Sequence, residues 1–346
     1  MKKKVFIGLS GGVDSAVSAA LLKREGFDVT GVFIKVWSPD FLPCTWREER
    51  RDAMRVAAKL DIPFLFFDFE KEYKTGVVDK MIEEYASGRT PNPDVLCNRE
   101  IKFEVFWKKA KELGADFIAT GHYAQNKDLL LFEGKDKEKD QSYFLWTLNQ
   151  EDLSHVLFPI GHLKKSEVRK LAKKFGISVA EKKDSQGICF LGDVDLETFL
   201  PHFLNIKSGD ILNTQGEIIG RHKGAIYYTI GERHGFEILK NNPDSEAYYV
   251  VSKNMEDNTI TVSNNKLEIK SLSPLKIEIK NINLINQKVK PTHARVRYRG
   301  EKISINVEKN EIVFKTPQRG LSTGQSIVFY NQYECLGGAE IDKIEL

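Results

Sequence analysis

The residues best able to do chemistry in this 346-residue chain begin near its N-terminus, at Ser10-Gly11-Gly12-Val13-Asp14-Ser15. The apolar run Val5-Phe6-Ile7-Gly8-Leu9 precedes them, and a segment with good helix-forming content, Ser15 to Glu25, follows. A glycine-rich turn between a strand and a helix lets the backbone approach a phosphate closely, while free amides and the positive end of the helix dipole stabilise its charge. Ser10 and Ser15 add hydroxyl donors, and Asp14 is a carboxylate able to hold Mg²⁺ or to orient a nucleotide. The alternative is a tight strand-to-helix connection with no ligand. The loop has neither the G-x-x-x-x-G-K-[ST] pattern of a P-loop nor the G-x-G-x-x-G of a dinucleotide site.

Two cysteines stand in segments that suit reactivity. In Gly88-Arg89-Thr90-Pro91-Asn92-Pro93-Asp94-Val95-Leu96-Cys97, the two prolines predict extended backbone ahead of a helix that begins near Asn98 or Arg99. Cys97 is therefore expected at a helix N-terminus, where the dipole and the nearby Arg99 and Lys102 favour thiolate. Cys189 lies in the polar, glycine-containing stretch Lys183-Asp184-Ser185-Gln186-Gly187-Ile188-Cys189, where a cysteine is expected to be accessible. The chain has four cysteines, Cys44 and Cys335 included, and no C-x-x-C pair. Neither a zinc ribbon nor a disulfide framework is indicated, and the expected compartment is reducing.

Near the other end, His293-Ala294-Arg295-Val296-Arg297-Tyr298-Arg299 repeats arginine at every second residue. A strand there places Arg295, Arg297 and Arg299 on one face, a stripe suited to a phosphate backbone, with Tyr298 able to stack on a splayed base. The competing reading is a solvated strand face. The net charge of +3 identifies nothing alone, but the stretch from Ser271 to Leu346 carries 12 Lys and Arg against 8 Asp and Glu, so the basic surplus sits there. The charged run Lys135 to Asp140 reads by itself as a solvated loop.

These residues need scaffolding, and the length suggests more than one core. Strand-like runs at Val5 to Leu9, Val29 to Trp37, Phe64 to Phe69 and Phe117 to Thr120 alternate with helical patterns. Those helices carry apolar stripes: Ala53, Val56, Ala57 and Leu60; Phe103, Phe106, Trp107 and Ala110; Val168, Leu171, Ala172 and Phe175. The alternation predicts an α/β domain with a parallel sheet over 1–204. After Asn205 short strand-like runs predict a small β-rich domain over 205–270. Strands such as Leu275 to Ile279, Ala294 to Tyr298, Ile303 to Val307 and Ile327 to Tyr330 predict a C-terminal β-barrel over 271–346. No apolar run approaches the roughly 20 residues of a membrane span, so a membrane role is not expected.

The loop Gly8 to Ser15 resembles the S-G-G-x-D-S loop of the PP-loop ATP pyrophosphatases, which cleave ATP between its α and β phosphates and adenylate a substrate. With Gly88 to Phe103, Ala119 to Tyr123, Lys139 to Leu145, Ser185 to Gly192 and Tyr228 to Gly235, the chain resembles, over nearly its full length, the MnmA family of bacterial tRNA-specific 2-thiouridylases. That resemblance implies a PP-loop domain, a small central domain and a C-terminal barrel that helps to hold tRNA. It also implies 2-thiolation of a wobble uridine: ATP and Mg²⁺ adenylate the uracil C2 oxygen, sulfur arrives from a cysteine persulfide, and AMP and pyrophosphate are released.

By the same resemblance the nucleotide is held by Gly8, Leu9, Ser10, Gly11, Gly12, Val13, Asp14, Ser15, Ile34 and Gly121. Cys189 carries the persulfide, and Cys97 is its catalytic partner, closing a disulfide with it or releasing sulfide. Asn92, Pro93 and Asp94 meet the target base, with Asp94 orienting or deprotonating groups there. His122, Lys139, Asp140, Gln141, Arg297, Tyr298 and Gln325 contact tRNA. The implied sulfur source is a persulfide-bearing donor protein or a cysteine desulfurase, and the implied location is the cytoplasm. Two other readings stay open. One is a PP-loop ligase or amidotransferase acting on a small substrate, which has no need of Cys97 and Cys189. The other is a non-catalytic RNA-binding protein with a vestigial loop.

Overall fold

The computed structural model describes residues 2–42, 46–183, 195–239 and 246–345. Cys44 and Cys189 lie outside the described residues. Strands β1 (Lys4–Gly8), β2 (Asp28–Lys35), β3 (Phe64–Asp68), β4 (Phe117–Ala119) and β7 (Val156–Leu157) form one sheet in the order β3-β2-β1-β4-β7. Every pairing in it is parallel. Both faces are covered, which is why its strands are almost continuously apolar. Val5, Ile7 and Phe33 face a core with Ala16 and Val17 of helix α1 (Val13–Arg24) and Ala53 and Val56 of α2 (Trp46–Lys59). Phe6, Val32 and Phe67 face the opposite core, which holds Ile101, Phe103 and Phe106.

Those last residues belong to a long helix, α3, made of an α-helical turn Pro93–Leu96, a π-helical stretch Cys97–Val105 and an α-helical end Phe106–Glu112. It starts earlier than expected. Asn92 is its N-cap, accepting from the Val95 N–H at 3.3 Å, and Pro93 occupies the first helical position, where a missing N–H costs nothing. Helix α4 (Lys165–Lys174) completes the α1 side, burying Val168 and Ala172.

The chain reverses strand order at β1, since β2 lies on one side of it and β4 on the other. The turns after β1 and β4 therefore meet at the carboxyl edge of the sheet, where ligands of such folds bind.

The second sheet, in the order β10-β9-β8-β12-β11, comprises β8 (Gly209–Leu212), β9 (Ile218–His222), β10 (Glu237–Ile238), β11 (Tyr249–Asn254) and β12 (Thr259–Ser263). The third is a closed barrel of β13 (Lys276–Leu284), β14 (His293–Arg295), β15 (Ile303–Glu308), β16 (Glu311–Phe314), β17 (Ser326–Asn331) and β18 (Glu334–Glu345), sealed by the β13–β18 pairing. A hairpin of the first domain, β5 (Ala124–Lys127) and β6 (Leu130–Glu133), extends this sheet: Phe132 pairs with Glu334 and Leu131 with Cys335.

The arginine stripe is a correction. Strand β14 ends at Arg295, and Arg299 has a left-handed φ of 58°, so the three arginines do not share one strand face.

Candidate active site

A cleft of about 290 Å³ opens at the carboxyl edge of the parallel sheet. Gly8, Leu9, Ser10, Asp14 and Ser15 line one side, Ile34 from the end of β2 another, and Gly121, His122 and Gln141 a third. Cys97, Ile101 and Lys102 of α3 close it. The cysteine thus shares a cavity with the glycine loop although it follows Ser15 by 82 positions in the chain.

The loop's shape follows from its residues. Gly11 has φ +72°, and a Cβ there would lie 2.5 Å from the Glu49 carbonyl oxygen of α2, so only glycine fits. The Ser15 hydroxyl staples the turn, donating to the Gly12 carbonyl at 3.2 Å and accepting from the Ser10 N–H at 3.2 Å. Gly12 caps α1 with no side chain in the way, leaving the helix's first amides to a ligand. Gly121 packs against the same place, since a Cβ on it would stand 2.8 Å from the Ser15 nitrogen.

Asp14 does not stand alone. The Lys165 ammonium at the start of α4 donates to both of its carboxylate oxygens at 2.8 Å, and the Tyr123 hydroxyl donates to one at 2.7 Å. A second lysine, Lys182, donates to the Gly11 carbonyl at 3.2 Å and to Asp52 at 2.8 Å, and this lysine holds the Asp52 carboxyl below its usual range. Lys182 thus stands at the rim of the glycine loop.

His122 is buried, with its Nδ1 2.7 Å from the Thr120 hydroxyl. Burial first and the Lys102 charge second hold its pKa well below the ordinary 6.5, so it is neutral at physiological pH.

Family profiles match the chain in succession. The one described as "tRNA methyl transferase HUP domain" covers residues 3–193, "tRNA methyl transferase PRC-barrel domain" covers 197–264, and "Aminomethyltransferase beta-barrel domain" covers 274–341. The tRNA-specific 2-thiouridylase MnmA of Geobacillus thermodenitrificans (strain NG80-2) is 43% identical over 99% of this chain and 95% of its own length. The proteins of that name from Streptococcus equi subsp. zooepidemicus (strain MGCS10565) and Listeria monocytogenes serotype 4a (strain HCC23) are each 43% identical, again over 99% of this chain and 95% of theirs. The chain belongs to the tRNA-specific 2-thiouridylase (MnmA) family. The full-length relatives decide this, although the profile descriptions speak of methyl transfer.

Against the residues expected from a 2-thiouridylase, the cleft gathers Gly8, Leu9, Ser10, Asp14, Ser15, Ile34, Cys97, Gly121, His122 and Gln141. Others stand elsewhere. Cys97 lies in the second turn of α3 and is buried, not at the helix N-terminus, so the dipole reaches it less than expected. Arg99 pairs with Glu100 at 2.9 Å, and Lys102 lines the cleft. Asn92 uses its side-chain oxygen as the helix cap. Pro93 is buried, and Asp94 lies half-buried one turn before Cys97.

Asp140 also departs from expectation. It is 3% exposed, and its carboxylate accepts from the Gly134 and Ser142 amides, the Ser142 hydroxyl and Arg295, so it holds the fold together and is not offered to RNA directly. Gln141 turns inward, its side-chain oxygen accepting from the Tyr123 N–H at 3.0 Å.

The barrel braces the α3 entrance. The Thr90 N–H donates to the Thr323 carbonyl at 2.8 Å, two residues before Gln325. Tyr298 rests on Phe144 with ring centroids 4.5 Å apart, and the Phe144 carbonyl accepts from the Asn98 side chain at 3.1 Å, next to Cys97. Arg297 and Arg299 are exposed beside that tyrosine. Lys165, Tyr123 and Lys182 were missed as site residues because each meets the loop through a partner distant in sequence; a lysine opening a helix after a sheet strand was the available signal for Lys165.

Proposed function

We propose that this protein is an ATP-dependent tRNA-uridine 2-sulfurtransferase acting on the wobble position. The observation that carries the reading is the cleft itself, which Cys97 and the glycine loop line together. Uracil O2 attacks the α-phosphorus of ATP, pyrophosphate leaves, and the C2 oxygen becomes part of a good leaving group, AMP. Asp94, one turn before Cys97, orients the base and takes up its N3 proton.

Sulfur then enters from a Cys189 persulfide, whose terminal sulfur bonds to C2 as the C2–O bond breaks and AMP departs. Cys97, as thiolate, attacks the inner sulfur of Cys189. That S–S bond breaks with its electron pair left on the thiouridine, a Cys97–Cys189 disulfide forms, and a dithiol reductant resets it.

Mg²⁺ suits the donor set. Mg²⁺ characteristically takes one or two carboxylates together with phosphate and water. Asp14, which lines the cleft with Ser10 and Ser15, would be the carboxylate to hold it, and the ion would supply charge neutralisation on the phosphates. Ile34 and Gly121 border the adenosine, and the exposed Arg297 with Tyr298 meets the RNA. The sulfur donor is a persulfide-bearing protein or a cysteine desulfurase, and the setting is the reducing cytoplasm. No helix among the described residues is long and apolar enough to cross a membrane.

The deciding experiment is a single-turnover reaction with unmodified tRNA, ATP, Mg²⁺ and a persulfide donor, read as 2-thiouridine by nucleoside mass spectrometry. The native protein forms thiouridine, and Cys97→Ser and Cys189→Ser do not. Cleavage of ATP to AMP without tRNA and without thiouridine replaces this reading with a small-substrate PP-loop ligase.

A further inference from the structure

We propose that the outer face of helix α2 is the docking surface for the sulfur-donor protein, and that it meets an acidic surface around the donor's persulfide cysteine. The proposal rests on the thiolation reading above. Its observation is a stripe of exposed arginines, Arg47, Arg51 and Arg55, at positions i, i+4 and i+8 of the helix. Met54, 45% exposed, and the exposed Ala58 lie on the same face.

This face is turned away from the core, into which the helix buries Ala53, Val56 and Ala57 beside α1. The acidic residues of α2 do little to balance it. Glu49 lines the cleft, and Asp52 accepts from Lys182 at 2.8 Å and from Arg55 at 3.1 Å. Arg47 lies 5.7 Å from the centre of the Trp46 ring, and among the described residues neither it nor Arg51 forms an ion pair. Like charges at i, i+4 destabilise a helix, whereas opposite charges at that spacing support one. Three arginines in a row are an arrangement that an acidic partner relieves. Arginine and methionine are also among the residues enriched at protein interfaces.

Position separates this partner from the RNA. The residues read as meeting RNA, Asn92 to Asp94, Arg297 and Tyr298, lie with α3 and the barrel, and α3 packs on the face of the parallel sheet opposite to α2. Yet α2 borders the same cleft, since Glu49 lines it and the Glu49 carbonyl abuts Gly11. The helix is also tied to the chain that leads to Cys189, because Asp52 holds Lys182. Cys189 follows Lys182 by seven residues, so covalent geometry alone keeps it within roughly 25 Å of that tie. A donor seated on α2 therefore reaches Cys189 while tRNA occupies the other side.

The transfer that docking serves is an exchange at sulfur. The Cys189 thiolate attacks the terminal sulfur of the donor's persulfide, a new S–S bond forms as the donor's S–S bond breaks, and the electron pair stays on the donor's cysteine as thiolate. Cys189 persulfide and a reduced donor result, so no further oxidant or reductant is needed.

The test compares the native full chain with Arg47→Glu/Arg51→Glu/Arg55→Glu in single-turnover thiolation of unmodified tRNA. One arm takes sulfur from a cysteine desulfurase supplied with L-cysteine. The other takes it from sodium sulfide, which attacks the adenylated C2 directly and needs no docked protein. The variant should slow by about tenfold or more in the desulfurase arm and by less than about twofold with sulfide, with tRNA affinity in filter binding also within about twofold. An unchanged desulfurase rate makes the stripe a solvated face, and a fall in tRNA affinity or an equal fall in both arms makes it an RNA or catalytic surface; each overturns the proposal. So does a native protein that uses sulfide and takes no sulfur from the desulfurase. If the charge reversal prevents folding, Arg47→Gln/Arg51→Gln/Arg55→Gln must show the same separation of the two arms. A native protein that forms thiouridine from neither source sinks the thiolation reading itself.

Discussion

Arg295 of the barrel strand β14 donates to Asp140 at 2.8 Å, joining a residue of the C-terminal barrel to one in the loop that follows the β5–β6 hairpin. The same guanidinium meets Glu133 at 2.8 Å, and Lys302 meets the other oxygen of that carboxylate at the same distance. The Ser142 hydroxyl, 3.1 Å from the Tyr330 hydroxyl, extends the network. A polar seam therefore locks the barrel onto the layer that carries the cleft.

Breaking that seam should be costly. Asp140→Ala strips two buried amides of their acceptor and leaves Arg295 with Glu133 alone, and the expected loss is about 3 kcal/mol or more of folding stability. Urea unfolding followed by circular dichroism checks it; a loss below about 1 kcal/mol would mean that solvent screens the network.

Two glycines should respond differently to the same change. Gly121→Ala drives a Cβ to within 2.8 Å of the Ser15 nitrogen, so the loop must shift and ATP affinity should fall by about tenfold. Gly26, at φ +92° with nothing within 4 Å of a Cβ, should on conversion to alanine lose about 1 kcal/mol of stability with ATP affinity intact. Calorimetric titration and thermal melts separate the two effects.

Acid should weaken the fold through its buried histidines. Burial, chiefly, lowers the His155 pKa from 6.5 to about 4, where the ring stacks on Trp107 with centroids 3.9 Å apart. Between those values the unfolded chain binds the proton and the native one does not, so stability is full above pH 6.5 and falls as pH drops toward 4. His155→Phe keeps the stack and removes the proton. The fall in thermal midpoint between pH 7 and 5 should shrink in that variant by comparison with the native protein, and an unchanged fall would exclude His155 as a source.

Arg297 is exposed, and its removal should act on RNA and not on folding. Arg297→Ala should weaken tRNA binding a few-fold and reduce the slope of log affinity against log salt by about one, with no shift in melting temperature. Filter binding across a salt series measures both quantities, and an unchanged slope would remove this arginine from the phosphate contacts.

The parallel sheet and the glycine loop were legible because both are local: apolar runs of strand length alternate with helical stripes, and Gly11, Gly12 and Ser15 shape one turn. Errors arose where a local sign had two meanings. The prolines before Cys97 were read as extended chain, whereas Asn92 and Pro93 are also a helix cap and a first helical residue. Alternating arginines suggested one strand face, but β14 stops at Arg295, whose charge is taken by two carboxylates of another layer. Nor was the β5–β6 hairpin foreseen, since its turn uses Asp128 and Leu129 at φ 53° and 62° in place of glycine, and its outer partner lies near the end of the chain. Asp140, Lys165 and Tyr123 acquire their roles only from partners that folding brings together.

The pairing of β6 with β18 also bears on how the chain is made. During synthesis β6 emerges long before its partner, so a nascent first domain presents a bare strand edge until Glu334 and Cys335 leave the ribosome. A chain cut short before Glu334 keeps that edge open and invites pairing with another copy. Premature termination should therefore yield aggregation, and a chaperone that shields strand edges has its task set here for as long as β18 is unmade.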